Sequence, residues 1–252
     1  MADDSHHQHG PAPSVRLFVE APLAPAARLD CTPAQANYLS NVMRMKAGDT
    51  LLAFNGRDGE WLSRIAEARK GRCTLEAVTL TRAQTAGPDI HYLFAPLKKA
   101  RLDYMVQKAT ELGVASLQPV MTRRTVAERV NGERMRANVI EAAEQCGLLR
   151  LPELHDPERL STVLKDWPSA RALIFADEAA PIASPLEALA DIAQGPTALL
   201  IGPEGGFDQA EREMLRALPF VRPISLGPRI MRADTAAVAA LALLNAVLGD
   251  WR

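Results

Sequence analysis

The sequence predicts an α/β protein: a mostly parallel sheet covered by helices, preceded by a small β-barrel-like module. Three observations carry that reading. From residue 89 onward, short apolar runs alternate with stretches of helical period, as in strands joined by crossover helices. Between residues 15 and 81 the runs are short and strand-like around a single helical stretch, which suits a small barrel. Near the C-terminus, residues 199–207 and 224–235 each place an apolar run before a Gly-Pro break and then a helical pattern.

Residues 15–19 form the first β run. Thr32 followed by Pro33 reads as an N-cap and first helical position, opening a helix over 32–43. Residues 50–54 and 60–65 flank Asn55-Gly56-Arg57-Asp58-Gly59, a hairpin whose glycines supply positive φ at the tip. A further strand spans 73–80, and residues 84–88, ending in Gly87-Pro88, are the expected linker. Beyond it, strands at 90–95, 115–121, 173–177, 199–201 and 221–226 alternate with helices at 100–112, 135–146, 186–192, 208–217 and 235–248. Leu102, Met105, Val106, Ala109 and Leu112 share one face of the first of these helices, and Gly113 ends it. The expected domains are 14–83 and 89–252, after a tail at 1–13 expected to be disordered.

Composition narrows the function. The 252 residues are 48% hydrophobic and 23% charged, ordinary for a globular protein. No apolar run approaches the roughly 20 residues that span a bilayer, and no secretory signal is visible at the start. No membrane partner is expected. Cys31, Cys73 and Cys146 are odd in number and widely separated, with no zinc spacing, so a reducing, cytoplasmic setting is the expectation. No metal site is expected; the His6-His7-Gln8-His9 run has no scaffold to fix it. Residues 97–136 hold nine Lys/Arg against four acids, whereas 137–252 hold ten against sixteen. A polyanion partner should therefore touch the first of these segments.

The two glycine corners do not fit the common nucleotide fingerprints. Neither Gly-x-Gly-x-x-Gly nor Gly-Lys-[Ser/Thr] is present. Gly202-Pro203-Glu204-Gly205-Gly206 puts a carboxylate beside open backbone amides, which suits a ligand with a cationic centre and a polar heterocycle. Equally, Glu204 could top the following helix, where negative charge is favoured. Arg229 and Arg232 could hold a phosphate or a base, or could pair with Asp234. No Ser-His-Asp or Cys-His set and no metal-spaced cluster stands out.

Taken together, residues 201–207 (Ile-Gly-Pro-Glu-Gly-Gly-Phe) and 226–236 (Leu-Gly-Pro-Arg-Ile-Met-Arg-Ala-Asp-Thr-Ala) resemble the signature pair of the RsmE family. These are S-adenosylmethionine-dependent methyltransferases of the SPOUT class that modify N3 of a uridine in small-subunit (16S) ribosomal RNA. Residues 107–114, 141–146 and 42–49 are similar to further family segments, so the resemblance covers most of the chain. Leu148 stands where the family usually has arginine, and Asp234 where glutamate is common.

The resemblance implies a PUA-like RNA-binding domain, a SPOUT domain with a trefoil knot, and a homodimer. It places S-adenosylmethionine against Phe175, residues 201–206 (Ile201, Gly202, Pro203, Glu204, Gly205 and Gly206), Leu226, Gly227, Ile230, Met231 and Thr235. Arg232 is the candidate to stabilise charge developing on the uracil, with Glu204 as a second catalytic candidate. RNA contact is expected from Arg16 and Arg44 in the first domain and from Lys98, Lys99, Arg101, Arg123 and Arg124 in the second. The acceptor would be small-subunit ribosomal RNA, bare or in the assembled subunit. A SPOUT enzyme acting on transfer RNA and a non-catalytic ribosome-assembly factor are the rival readings.

Overall fold

The computed structural model describes residues 15–126, 129–180 and 184–251; the expected tail at 1–13 lies outside them. The chain forms two compact units, the first ending at Thr85 and the second starting at Ala86.

The first unit is a five-stranded mixed sheet with one short helix. Its strands are β1 (Arg16–Phe18), β2 (Arg28–Asp30), β3 (Thr50–Phe54), β4 (Glu60–Arg69) and β5 (Arg72–Arg82), ordered β1-β3-β4-β5-β2. Only β1 and β3 pair in parallel. Register shifts at three points along β4 and β5 mark bulges, which bend long strands around a core. That core joins Leu17, Leu29, Leu39, Leu51, Ile65 and Leu75 from every strand and from the helical segment. Helix α1 (Pro33–Asn37) starts at Thr32, whose side chain accepts from Gln35 N while Gln35 reaches back to Thr32 N. It continues as one π-helical turn over Tyr38–Val42. The pairing of β2 with β5 also brings Cys31 beside Cys73, a juxtaposition invisible in their spacing. Burial pushes the Cys31 thiol up to about 12, which disfavours its thiolate form.

Arg16 corrects an expectation. Its Nε donates to Glu60 Oε2 at 2.8 Å, its guanidinium lies 4.4 Å from the Phe54 ring centroid, and its side chain is only 12% exposed. A cation paired with a buried carboxylate is not presented to a phosphate. Arg44, by contrast, is exposed, with a left-handed φ of 56°.

The second unit holds a seven-stranded sheet in which every pairing is parallel. In chain order it comprises β6 (Ile90–Phe94), α2 (Lys99–Glu111), β7 (Ser116–Met121), α3 (Gly132–Cys146), β8 (Glu153–Leu154), β9 (Glu158–Arg159), α4 (Leu160–Lys165) and β10 (Ala172–Ala176). Then follow α5 (Pro185–Ala190), β11 (Thr197–Ile201), α6 (Gln209–Ala217), β12 (Val221–Ile224) and α7 (Ala233–Val247). The strand order is β12-β10-β11-β6-β7-β8, with β9 also on β7.

Alternating side chains of these strands feed two separate cores. Tyr92, Phe94, Ile174, Leu199 and Ile201 pack with α2, α3, α5 and α7. Leu93, Phe175, Leu200 and Phe207 pack with α4 and α6 on the other face. Helix α7 is tied to the end of α2 by the fully buried Asn245, whose Nδ2 donates to Leu112 O at 2.8 Å. No helix among the described residues is long and apolar enough to cross a membrane.

Leu241 is fully buried in the larger core. Leu241→Ala should therefore lower the stability of the second unit by about 2–5 kcal/mol, read from its transition in calorimetry or urea unfolding.

Candidate functional site

Strand β10 lies between β11 and β12, so the chain leaving β11 must step over it to reach β12. The register pairs Phe175 with Leu200 and Ala176 with Ile224. Parallel pairing then delivers three loop starts to one edge of the sheet: after Ala176, after Ile201 and after Ile224. Asp177 N, donating to Ile224 O at 3.0 Å, carries the ladder one residue further. Open α/β sheets bind ligands outside the carboxyl ends of their strands, and this edge holds a cavity of about 280 Å³. Its walls are Ala176 to Glu178, residues 201–207, Leu226, Gly227, residues 229–231, and Ala233 and Ala236 of α7.

The first corner is folded back on itself. Gly206 N donates to Pro203 O at 2.9 Å, closing a turn, and Gly206 has φ 66°. Phe207 turns under the loop, its ring 4.9 Å from that of Phe175 in an edge-on contact. A Cβ on Gly202 would lie 2.5 Å from the Phe207 ring, and one on Gly206 would lie 2.6 Å from Glu178 Oε1. Glycine is thus a packing requirement here, and it leaves the backbone open to the cavity. The second corner turns at Gly227, φ 99°, with Ser225 Oγ accepting from its N–H at 3.3 Å. It then carries Ile230 almost wholly into solvent, at 97% exposure.

Charged side chains from elsewhere in the unit tie down the first corner. Arg101 of α2 lies 3.4 Å from Glu204, and Arg124, from the loop after β7, donates to Gly205 O at 2.8 Å. Arg123 N donates to Glu211 Oε1 at 2.8 Å, and its guanidinium donates to Asp208 at 2.9 Å. Asp208, not Glu204, caps α6, in a reciprocal pair with Glu211. The Glu211 N–H, aided by Arg123, holds the Asp208 carboxyl below its ordinary range. That cap therefore stabilises the helix at neutral pH and is lost as the pH falls through the lowered value.

The cavity gathers every residue expected against the cofactor except two. Phe175 is buried in the core against Phe207, one residue short of the cavity wall, and Thr235 is exposed on the first turn of α7. Of the two catalytic candidates, Glu204 stands at the rim in its pair with Arg101. Arg232 is the residue immediately preceding α7, and its side chain has no partner among the described residues. It does not pair with Asp234, whose carboxylate accepts from Thr235 N at 3.0 Å. Lys98 and Lys99 are exposed where α2 begins. Sequence reasoning missed Asp177 and Glu178. Their signal was position: they are the first polar residues after an apolar parallel strand.

Fold and site together define an RNA methyltransferase: residues 85–245 match the RNA methyltransferase domain family, and residues 32–78 match the RNA methyltransferase PUA domain. The ribosomal RNA small subunit methyltransferase E of Synechocystis is 30% identical to the chain, covering 92% of it and 78% of the relative. That of Rickettsia conorii is 29% identical, covering 90% and 93%. The chain belongs to the ribosomal RNA small subunit methyltransferase E family. Among solved structures, the Neisseria gonorrhoeae member bound to S-adenosylmethionine matches with a TM-score of 0.83 at 25% identity, covering 94% of this chain and 99% of that one. A Legionella pneumophila methyltransferase, also in complex with S-adenosylmethionine, matches with 0.81 at 31% identity, covering 94% and 98%.

The two adjacent glycines differ in what a side chain would meet. Gly206→Ala should cost about 1–3 kcal/mol, because it forces a left-handed alanine against Glu178. Gly205→Ala should cost far less, since its Cβ would meet only Arg124 at an ordinary 3.7 Å. Unfolding midpoints of the two variants check the contrast.

Proposed function

We propose that this chain transfers a methyl group from S-adenosylmethionine to N3 of a uridine in small-subunit ribosomal RNA. The observation that carries the reading is the cavity formed where the two glycine corners meet the end of β10, in a chain of this family. The residues present fit the cofactor. Glycines at 202, 205, 206 and 227 let backbone approach a ligand closely, Ile201, Leu226 and Met231 offer apolar walls, and the corner amides and carbonyls offer polar edges. When bound, S-adenosylmethionine supplies an electrophilic methyl on a positively charged sulfur.

The chain's own residues then do two things. They hold the acceptor nitrogen in line with that methyl. They also favour loss of the N3 proton by stabilising negative charge on the uracil. Arg232 suits the second role, as a cation with no side-chain partner among the described residues, immediately before α7, whose first turn adds positive potential from its open N–H groups. Glu204 is the second candidate, a half-exposed carboxylate at the rim with Oε1 3.4 Å from Arg101. N3 lies on the pairing edge of uracil, and the target base must be unpaired or flipped out to reach the cavity. Arg101, Arg123, Arg124, Lys98 and Lys99 in this unit, and Arg44 in the first unit, are the cations we expect to meet RNA phosphates. Salt should weaken that binding steeply.

The homodimer and the trefoil knot implied by the family resemblance belong to the same proposal. The step of the chain from β11 over β10 to β12 supports the knot. A cytoplasmic site of action follows from the proposed substrate.

The direct test supplies isotopically labelled S-adenosylmethionine and unmodified small subunits, then identifies the labelled nucleoside by mass spectrometry. Label on 3-methyluridine is expected; label on transfer RNA alone, or on no RNA, would overturn the assignment. In the same assay Arg232→Ala should lose about 100-fold or more in transfer, with cofactor affinity changed little. Lost cofactor binding would place Arg232 in the binding pocket instead.

A further inference from the structure

The end of β10 carries a charge cluster that the proposed chemistry does not use. Asp177 has no side-chain exposure, yet both of its oxygens are engaged. Oδ1 accepts from Ala179 N at 3.0 Å and lies 3.2 Å from Arg212 Nε, while Oδ2 accepts from Arg216 Nε at 3.0 Å. Glu178, the next residue, accepts at Oε1 from Arg212 Nη2 at 2.6 Å. Its side chain is 56% exposed, and no hydrogen bond to Oε2 is found among the described residues. Both acids line the cavity.

The charge balance of this cluster decides what it can bind. Two carboxylates face two guanidinium groups, so the cluster is formally neutral. A cation entering the cavity gains little from acids already compensated at 2.5–3.2 Å. A neutral hydroxyl still gains a charge-assisted hydrogen bond from a fixed carboxylate oxygen. Arg212, itself seated on buried Asp177, holds Glu178 Oε1, and Gly206, having no Cβ, leaves room for that oxygen along the turn. The part of S-adenosylmethionine that carries neighbouring neutral hydroxyls is the ribose.

We propose that Glu178 binds the ribose hydroxyls of the cofactor and that the Asp177–Arg212–Arg216 cluster is the platform that positions it. This rests on the reading of the cavity as the S-adenosylmethionine site. In that arrangement Glu178 selects for an intact ribose, and the positive sulfur is recognised elsewhere in the cavity.

Titration calorimetry on the full chain tests the proposal with three probes: S-adenosylmethionine, S-adenosylhomocysteine, and the 2′-deoxyribose analogue of S-adenosylhomocysteine. The wild-type chain should bind the deoxy analogue about 10- to 100-fold more weakly than S-adenosylhomocysteine. Glu178→Ala should weaken binding of both ribose-bearing probes by a similar factor and erase the discrimination against the deoxy analogue. Glu178→Gln, which keeps one acceptor oxygen and the side-chain shape, should fall between. Discrimination that survives in a folded Glu178→Ala chain would overturn the proposal. So would a loss confined to S-adenosylmethionine, which would make Glu178 a partner of the sulfonium. A wild-type chain that binds neither S-adenosylmethionine nor S-adenosylhomocysteine would overturn the cofactor reading and the proposal with it.

Discussion

The site depends on one geometric constraint, the parallel pairing of β10 between β11 and β12. A parallel ladder fixes where each strand ends relative to its neighbours, and here it aligns Ala176, Ile201 and Ile224 within about one residue of each other. Because the chain passes over β10 on its way from β11 to β12, loops separated by about twenty residues become adjacent walls. Shifting any of the three strands by one residue would exchange its two faces. Phe175 would then point among α2, α3, α5 and α7, and the first corner would lose the aromatic support on which Phe207 sits.

Electrostatics completes what the ladder begins. The first corner is held by Arg101 and Arg124 from two other elements, and Arg123 braces the helix that follows. Cations from distant segments thus fix both the glycine turn and the start of the helix after it. The end of β10 is held differently, by a buried carboxylate saturated with two arginines and a backbone N–H. A buried ion pair adds little net stability against an apolar alternative, but it is costly to break on one side and so holds a geometry firmly. A site that must orient a small ligand uses that property well.

Much of this is legible in the sequence. The Gly-Pro corners declare themselves because the same order of apolar run, Gly-Pro break and helical pattern occurs twice within about thirty residues, and the helix that begins after Thr32 is legible from its cap. The hairpin at residues 55–59 is legible from its turn chemistry. What is not legible shares a cause: it depends on partners distant in sequence. Arg16 reads as a surface cation because nothing nearby reveals Glu60, 44 residues on, as its partner. Phe175, expected at the cofactor from the family resemblance alone, turns instead into the core under Phe207, a contact with a residue 32 positions later that a strand buried on both faces does not announce. Asp177 and Glu178 escape notice because their meaning lies in Arg212 and Arg216, on a helix more than thirty residues later. The strands β2, β8 and β9, two or three residues each, are too short to leave a period.

That three loops, gathered by one parallel ladder, form a single cofactor site is tested most directly by amide hydrogen exchange with and without S-adenosylmethionine. Exchange should slow together at 176–178, 202–207 and 226–231, because one ligand would restrain all three. Slowing at one glycine corner with the other unchanged would contradict this, since the two corners would then not be walls of one pocket.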